Sequence, residues 1–411
     1  MNTPSENIIN SIRAQFPALG ISVGKHKLVY LDNTATSQTP QRVVEAIDRA
    51  YYNTKANVHR GVHTLSQQMT LLQEEAREKA RAFINAPSVQ EIIFTRGTTE
   101  AINLVASCIG RDWPDGAEVI VTEMEHHSNI VPWQLLSRPG REIKLRVVPT
   151  DEHGVLDMNT YRNLFNSNTA MVAATHVSNV LGTVNPVKEI AAEARAHGVP
   201  VLIDGAQAIS HRAVDVQDIG ADFYAFSAHK MYGPTGVGIL YGRRDLLEQM
   251  PPYQGGGEMV GHVTFQKTTY AELPFKFEAG TPEFTAIAAL SQAIDFINET
   301  GYDLINAQEE YLLQYTTGQM LKRVPGLRLF GTAPGKDAII SFLIGRAHHY
   351  DTGLLLDKLG IAVRTGHHCA QPLMQALGVE GVVRASFAVY NTRAEADYFV
   401  DALCRIAPML Q

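Results

Sequence analysis

The sequence predicts an α/β fold, with a mostly parallel sheet flanked by helices and a smaller α+β domain at the C-terminal end. Two observations carry this. From about residue 90, short runs rich in β-branched residues and bounded by polar turns alternate with helical stretches, the rhythm of strands covered by helices on both faces. After two long helical stretches near 283–299 and 303–323, that rhythm gives way to a mixed segment reaching the C-terminus.

In chain order, a short amphipathic helix begins near Ser5. The strands EIIFT (91–95), EVIVT (118–122), KLRVVP (144–149), AMVAATH (170–176), VPVLID (199–204) and DFYAF (222–226) follow, with helices around 99–109, 128–138, 159–165 and 186–197 between them. PPYQGGGEMVG (251–261) reads as a surface loop or small excursion. The domain change falls near 295, giving a large domain over 21–295. The small domain takes 296–411, and the first twenty residues pack on it.

The chain has 411 residues, enough for about two or three domains at roughly 100–200 residues each. Hydrophobic residues make up 45% and charged ones 19%, and the net charge is -7 with Lys and Arg scattered. That balance suits a globular protein with an ample core and offers no basic patch for nucleic acid or an anionic membrane. No apolar run nears the length of a membrane span, and the N-terminus lacks a secretory pattern. Three widely spaced cysteines, Cys108, Cys369 and Cys404, form no CxxC pair. A disulfide framework is not expected, and a reducing cytoplasm fits.

Ligands on such sheets gather at the carboxyl ends of the strands, so the residues there carry the chemistry. Arg96-Gly97-Thr98-Thr99-Glu100 lies between a strand and a helix. Its free N–H groups, hydroxyls and helix dipole can cradle a phosphate, although Thr before a helix is also ordinary capping chemistry. Asp204 ends a buried strand and needs a positive partner, such as a protonated pyridine nitrogen, unless it is a surface turn-former. Lys230, in Ser227-Ala228-His229-Lys230, follows another strand. Desolvated there, a lysine can form a Schiff base; an exposed loop lysine is the plainer alternative. One ligand with a phosphate, a ring nitrogen and an aldehyde explains all three together. His126 and His127, after EVIVT, can stack on such a ring or serve as caps, and Asn179 can donate to a ring oxygen.

The stretches RGTTEAINLVA, EHHSNIVPW, THVSNVLGT, DGAQA, SAHKMYGPTGVGILYG, FEAGTP and RTGHHCAQPL together resemble the Suf-type cysteine desulfurases. These are class-V aminotransferase-like enzymes of pyridoxal-phosphate (PLP) fold type I, with a seven-stranded type of sheet. The resemblance runs from about Phe16 to the C-terminus. It implies pyridoxal phosphate on the large domain, with Lys230 as its Schiff-base lysine and Asp204 as partner of its ring nitrogen. Thr98, Thr99, Ser227 and His229 match phosphate-binding positions, and Thr281 one supplied across a homodimer interface. His126 matches the ring-stacking acid–base histidine, and Gln207 and Asn179 match contacts to the ring oxygen. Arg384 matches the substrate-carboxylate clamp, a role suited to a bidentate guanidinium, with Asn179 assisting. His59, Arg60 and Arg364 match the substrate pocket more loosely. The early segment departs from the family as Leu31-Asp32-Asn33-Thr34-Ala35, which adds polarity near the substrate entrance.

Cys369 decides the reaction within that family. It sits in a polar loop with Arg364, His367 and His368 close in sequence, and cationic neighbours raise a thiol's thiolate fraction. Cys108 and Cys404 read as structural. The implied activity converts L-cysteine to L-alanine and leaves the sulfur on Cys369 as a persulfide. A short catalytic loop implies a sulfur acceptor protein for iron–sulfur cluster assembly, SufE-like rather than SufU-like, because Tyr350 stands where relatives served by zinc-containing acceptors place His. Selenocysteine lyase activity is the alternative at the same site. Kynureninase-like cleavage, plain transamination or a non-enzymatic scaffold leaves the lysine–cysteine combination unexplained. The adjacent histidine pairs lack metal-site spacing, so no metal is expected.

Overall fold

The computed structural model describes residues 4–410. Its main sheet contains β1 (Ile92–Thr95), β2 (Glu118–Thr122), β3 (Lys144–Val148), β4 (Thr169–Thr175), β5 (Val201–Asp204), β6 (Phe223–Ser227) and β7 (Gly238–Gly242). The order is β1-β7-β6-β5-β4-β2-β3. Strands β2 to β6 pair in parallel, whereas β7 runs antiparallel to both its neighbours. Six strands therefore end at the same edge, which is where a ligand site is expected.

Alternation along each strand splits the apolar side chains between two cores. Ile92, Ile120, Ile203 and Phe226 face one core, with Ala76 and Ala80 of α3 (Thr64–Phe83) and Ile190 and Ala194 of α5 (Val187–Ala196). Ile93, Val121, Leu202 and Leu240 face the other, beneath Ala101, Leu104 and Val105 of α4 (Thr98–Ile109). Near the chain start, α1 (Glu6–Arg13) is capped by Ser5, whose hydroxyl accepts from the Ile8 N–H. α2 (Gln41–Arg49) and α3 both pack on α6 (Phe284–Thr300).

Gly301, at φ +78°, ends α6 and turns the chain into α7 (Tyr302–Arg323). The second sheet is antiparallel. It contains β8 (Leu327–Phe330), β9 (Ile339–Ile344), β10 (Arg364–Gly366) and β11 (Val382–Ser386), in the order β8-β9-β11-β10. Its own core joins Ile340, Phe342 and Val383 to Phe399 and Leu403 of α8 (Arg393–Ile406). Phe16, just after α1, packs among Tyr232, Phe296 and Tyr390, so this segment touches both parts of the chain. Val29–Tyr30 pairs in parallel with Ile361–Ala362, which carries Asp32 to the second sheet.

Two details differ from the sequence reading. The helix expected over 128–138 is broken into one 3₁₀ turn, His127–Asn129, and one helical turn, Val131–Gln134. Ile130 leaves helical geometry (φ -117°, ψ -58°) and Pro132 follows within the first turn, so no continuous ladder forms. The reading also leaves out β7, which is short and begins and ends with glycine. Gly238 is required there, because a Cβ would stand 2.4 Å from the Cα of Gly97. The 251–261 excursion leads into a small hairpin, Val260–Val263 with Thr268–Tyr270.

Candidate active site

A cavity of about 420 Å³ opens at the carboxyl edge of the main sheet, where the second sheet meets it. Twelve of the residues singled out from the sequence line it: Thr98, Thr99, His126, Asn179, Asp204, Gln207, Ser227, His229, Lys230, Arg364, Cys369 and Arg384. Each main-sheet contribution follows from its place at a strand end. Thr98 and Thr99 open α4 after β1, Asp204 closes β5, and Ser227 closes β6 with His229 and Lys230 in the turn beyond.

At the α4 end, the Ser227 hydroxyl accepts from the Thr98 N–H at 2.8 Å and lies 2.7 Å from the Thr98 hydroxyl. Two hydroxyls and the first turn of a twelve-residue helix form an anion cradle. Asp204 is buried, and its carboxylate Oδ1 accepts from the Ala206 N–H at 2.9 Å. Burial raises its pKa, opposed by the charge of Lys230. Burial also pushes Lys230 down to about 8, with Asp204 holding it from falling further. His126 is pushed down to about 3 by burial and then by Lys230, so it is neutral near pH 7. Its Nδ1 accepts from the Ser128 N–H at 3.1 Å, which places the proton of the neutral ring on Nε2.

The second sheet supplies cations and the thiol. Arg384 on β11 is buried, and burial lowers its pKa to about 10, leaving it charged. Its Nη1 donates to the Asn179 carbonyl at 2.8 Å and its Nη2 to Asp32 at 3.3 Å, while Nε has no partner. Asp32 also accepts from Arg364 Nε at 3.1 Å, so one carboxylate bridges both arginines. The Asn179 amide donates to the His368 carbonyl at 2.9 Å, and the Gln207 amide to the Thr34 carbonyl at 2.9 Å. Cys369 is exposed, and both it and His368 have left-handed backbones, at φ +54° and +51°. Cys108 is buried and Cys404 half-buried, both outside the cavity.

Three singled-out residues lie elsewhere. His59 packs its ring 5.0 Å from that of Phe275, Arg60 pairs with Glu258 at 2.8 Å, and Thr281 is exposed after Gly280. None of them lines this chain's cavity. Sequence reasoning did not assign Thr36, Thr175, Thr235 and His368, which do line it. The departure at Asn33-Thr34 divides in two. Asn33 is buried and bonded to the Ser386 carbonyl and to Asn391, whereas Thr34 faces the cavity with an unpartnered hydroxyl. A larger cavity, about 720 Å³, lies between α7 and β8–β9 and contains none of the singled-out residues.

This donor set fits pyridoxal phosphate. It offers an anion cradle, a buried carboxylate with one hydrogen bond, a desolvated lysine and two unpartnered polar groups, Thr34 Oγ1 and Arg384 Nε, at a single cavity.

Residues 29–399 match the aminotransferase class-V family, and the chain belongs to it. A cysteine desulfurase of Serratia proteamaculans is 50% identical over 404 residues, covering 98% of this chain and 99% of the relative. The apo structure of a cysteine desulfurase from Thermococcus onnurineus superposes with a TM-score of 0.92 at 36% identity, over 100% of this chain and 99% of the other. The Escherichia coli cysteine desulfurase CsdA, in an S-sulfonic acid form, gives 0.88 at 38% identity, over 98% and 99%.

Proposed function

We propose that this chain is a pyridoxal-phosphate-dependent cysteine desulfurase in which Cys369 receives the sulfur. The observation that carries the reading is the shared cavity: Lys230, Asp204, Arg384 and Cys369 all line it, from two different sheets. Full-length relatives named cysteine desulfurase support the same conclusion.

Thr98, Thr99, Ser227 and His229 would hold the cofactor phosphate, and Asp204 would pair with the ring nitrogen. When bound, the cofactor supplies an electron sink next to the substrate's α-carbon. His126, which lines the same cavity, would stack on the cofactor ring, with its neutral Nε2–H available as a donor. Asn179 and Gln207 frame the ring-oxygen side, although their amide donors also hold His368 and Thr34. Arg384 holds the carboxylate of L-cysteine, with Arg364 and Asn179 beside it. Lys230, with a pKa near 8, takes the α-proton and returns one as alanine forms. The Cys369 thiolate attacks the substrate sulfur; the S–S bond forms as the C–S bond breaks, and the released electron pair passes to the carbon side. Cys369 is left as a persulfide and L-alanine departs.

A protein acceptor then takes the sulfur toward iron–sulfur cluster assembly. The exposed position of Cys369 suits delivery by docking, and a SufE-like acceptor matches this short loop. The chain works as a homodimer, in which Thr281 completes the partner's phosphate site and His59 and Arg60 lie near the shared entrance. Val62 and Phe265, fully open apolar side chains on the two segments joined by the Arg60–Glu258 pair, support that interface. Three free cysteines suit a cytoplasmic setting.

The test is alanine and sulfide formation from L-cysteine, with reductant or acceptor present. Cys369→Ser is expected to keep the cofactor absorbance and to lose alanine formation. Turnover that survives the substitution would overturn the role of Cys369.

A further inference from the structure

The Cys369 loop is held by a residue in the 3₁₀ turn beyond β2 that the reaction just described does not use. Cys369 and His368 both sit at positive φ, a conformation unfavourable for a non-glycine residue that persists only when its surroundings impose it. His127 supplies three of those surroundings. Its backbone N–H donates to the Cys369 carbonyl at 2.7 Å. Its imidazole Nε2 accepts from the Gln371 N–H at 3.1 Å. Its ring also lies 5.6 Å from that of His367, tilted by 31°, and His367 Nδ1 in turn accepts from the Cys369 N–H at 3.1 Å. The peptide group after the thiol is thereby held from outside the loop, and the one before it by His367, whose ring lies beside that of His127.

We propose that His127 is a positioning residue for the sulfur-accepting thiol, acting through the backbone of residues 369–371. It sets the direction of Cys369 Sγ and does not touch the cofactor pocket, since its neighbour His126 lines the cavity and His127 does not. An N–H acceptor at this place is the property required. Gln371 opens the helix Gln371–Ala376, so its N–H has no partner within the helix, and His127 fills that vacancy while tying the loop to the main body. This proposal rests on the reading of Cys369 as sulfur acceptor.

The experiment compares wild type, His127→Ala, His127→Gln and Cys369→Ser as holoenzymes, on two reactions. The first is alanine formation from L-cysteine, which requires the thiol. The second is exchange of the α-proton of L-alanine with solvent deuterium, which requires the cofactor and Lys230 but no thiol. His127→Ala is expected to lower alanine formation tenfold or more, while exchange and the cofactor absorbance stay within twofold of wild type. His127→Gln, whose side-chain oxygen can accept the same N–H, is expected to recover most of the lost rate. Equal alanine formation in wild type and His127→Ala overturns the proposal, as does a parallel fall in exchange, which would place His127 in the cofactor half of the site. If His127→Ala does not retain cofactor, His127→Phe keeps the ring bulk, removes the acceptor and is read in the same way. Full turnover by Cys369→Ser would instead overturn the functional reading itself, whatever the His127 variants do.

Discussion

Replacing Arg384 with lysine tests the substrate clamp, because it keeps the charge and removes the fork. In the structure Arg384 spends one N–H group on the Asn179 carbonyl at 2.8 Å and another on Asp32 at 3.3 Å, and Nε remains free in a buried setting. A lysine ammonium carries its three donors on one atom, so it cannot serve both protein acceptors and also present two parallel donors to a carboxylate. The expected loss is about one charge-assisted hydrogen bond, roughly 1.5–3 kcal/mol, which corresponds to about a 10- to 150-fold fall in kcat/KM. Alanine formation measured across L-cysteine concentrations should place that loss in KM, since the carboxylate is held equally before and during the reaction. L-cysteine methyl ester, which has no carboxylate, should be handled by wild type and variant within about twofold. An unchanged KM for L-cysteine in Arg384→Lys, or an equal loss on the ester, would refute the clamp.

Two stability predictions follow from buried ion pairs. Arg77 on α3 is buried and donates to Glu278 at 2.7 and 3.0 Å, and the same carboxylate accepts from the Phe94 N–H at 2.8 Å. Arg77→Met strands that carboxylate and should cost about 3–5 kcal/mol in denaturant unfolding. Glu278→Gln should cost clearly less, because Arg77 keeps Glu74 and the Ile92 carbonyl; equal costs would contradict the pairing. His211 is buried 2.7 Å from Glu309, and although burial opposes its charge, the carboxylate wins and lifts its pKa to about 9. A raised folded pKa stabilises below the unfolded value of 6.5, and that contribution fades as pH rises through 9. The thermal stability advantage of wild type over His211→Gln should therefore be largest near pH 6 and shrink by pH 10; a constant difference would count against a charged His211.

Much of the site was legible because it obeys local rules. Asp204 closes a strand, Thr98 and Lys230 come within three residues of a strand's end, and parallel strands deliver their ends to one edge whatever the details of the helices between them. The loop around Cys369 announced itself through its polarity. What escaped depends on contacts far apart in sequence. Asp32 bridges Arg364 and Arg384 only because the pairing of Val29–Tyr30 with Ile361–Ala362 carries it there, and no pattern near residue 32 encodes that pairing. β7 leaves a weak mark in the sequence because its apolar centre, Ile239-Leu240-Tyr241, stands between glycines that read as turn residues. The apolar spacing over 128–138 suits a helix, but the local break at Ile130 and Pro132 overrides it. His59, Arg60 and Thr281 do not line this chain's own cavity, so their grouping with the site rests on resemblance and on the dimer proposed above.

The electrostatics of the cavity give its two halves different duties. Burial acts on Lys230 and Arg384 alike, yet the starting values differ, so the outcomes differ in kind. Lys230 arrives at about 8, close enough to neutrality to give up and recover a proton. Arg384 arrives at about 10 and stays charged, which suits holding an anion throughout a reaction. Asp204 and Asp32 divide in parallel, one beside the lysine and the other shared between two arginines. In the function proposed above, proton transfer thus falls to the main sheet, and carboxylate binding and the thiol to the second sheet. Substitutions at Cys369 should then leave the lysine half working, which is why proton exchange and alanine formation can be measured as separate functions of one cavity.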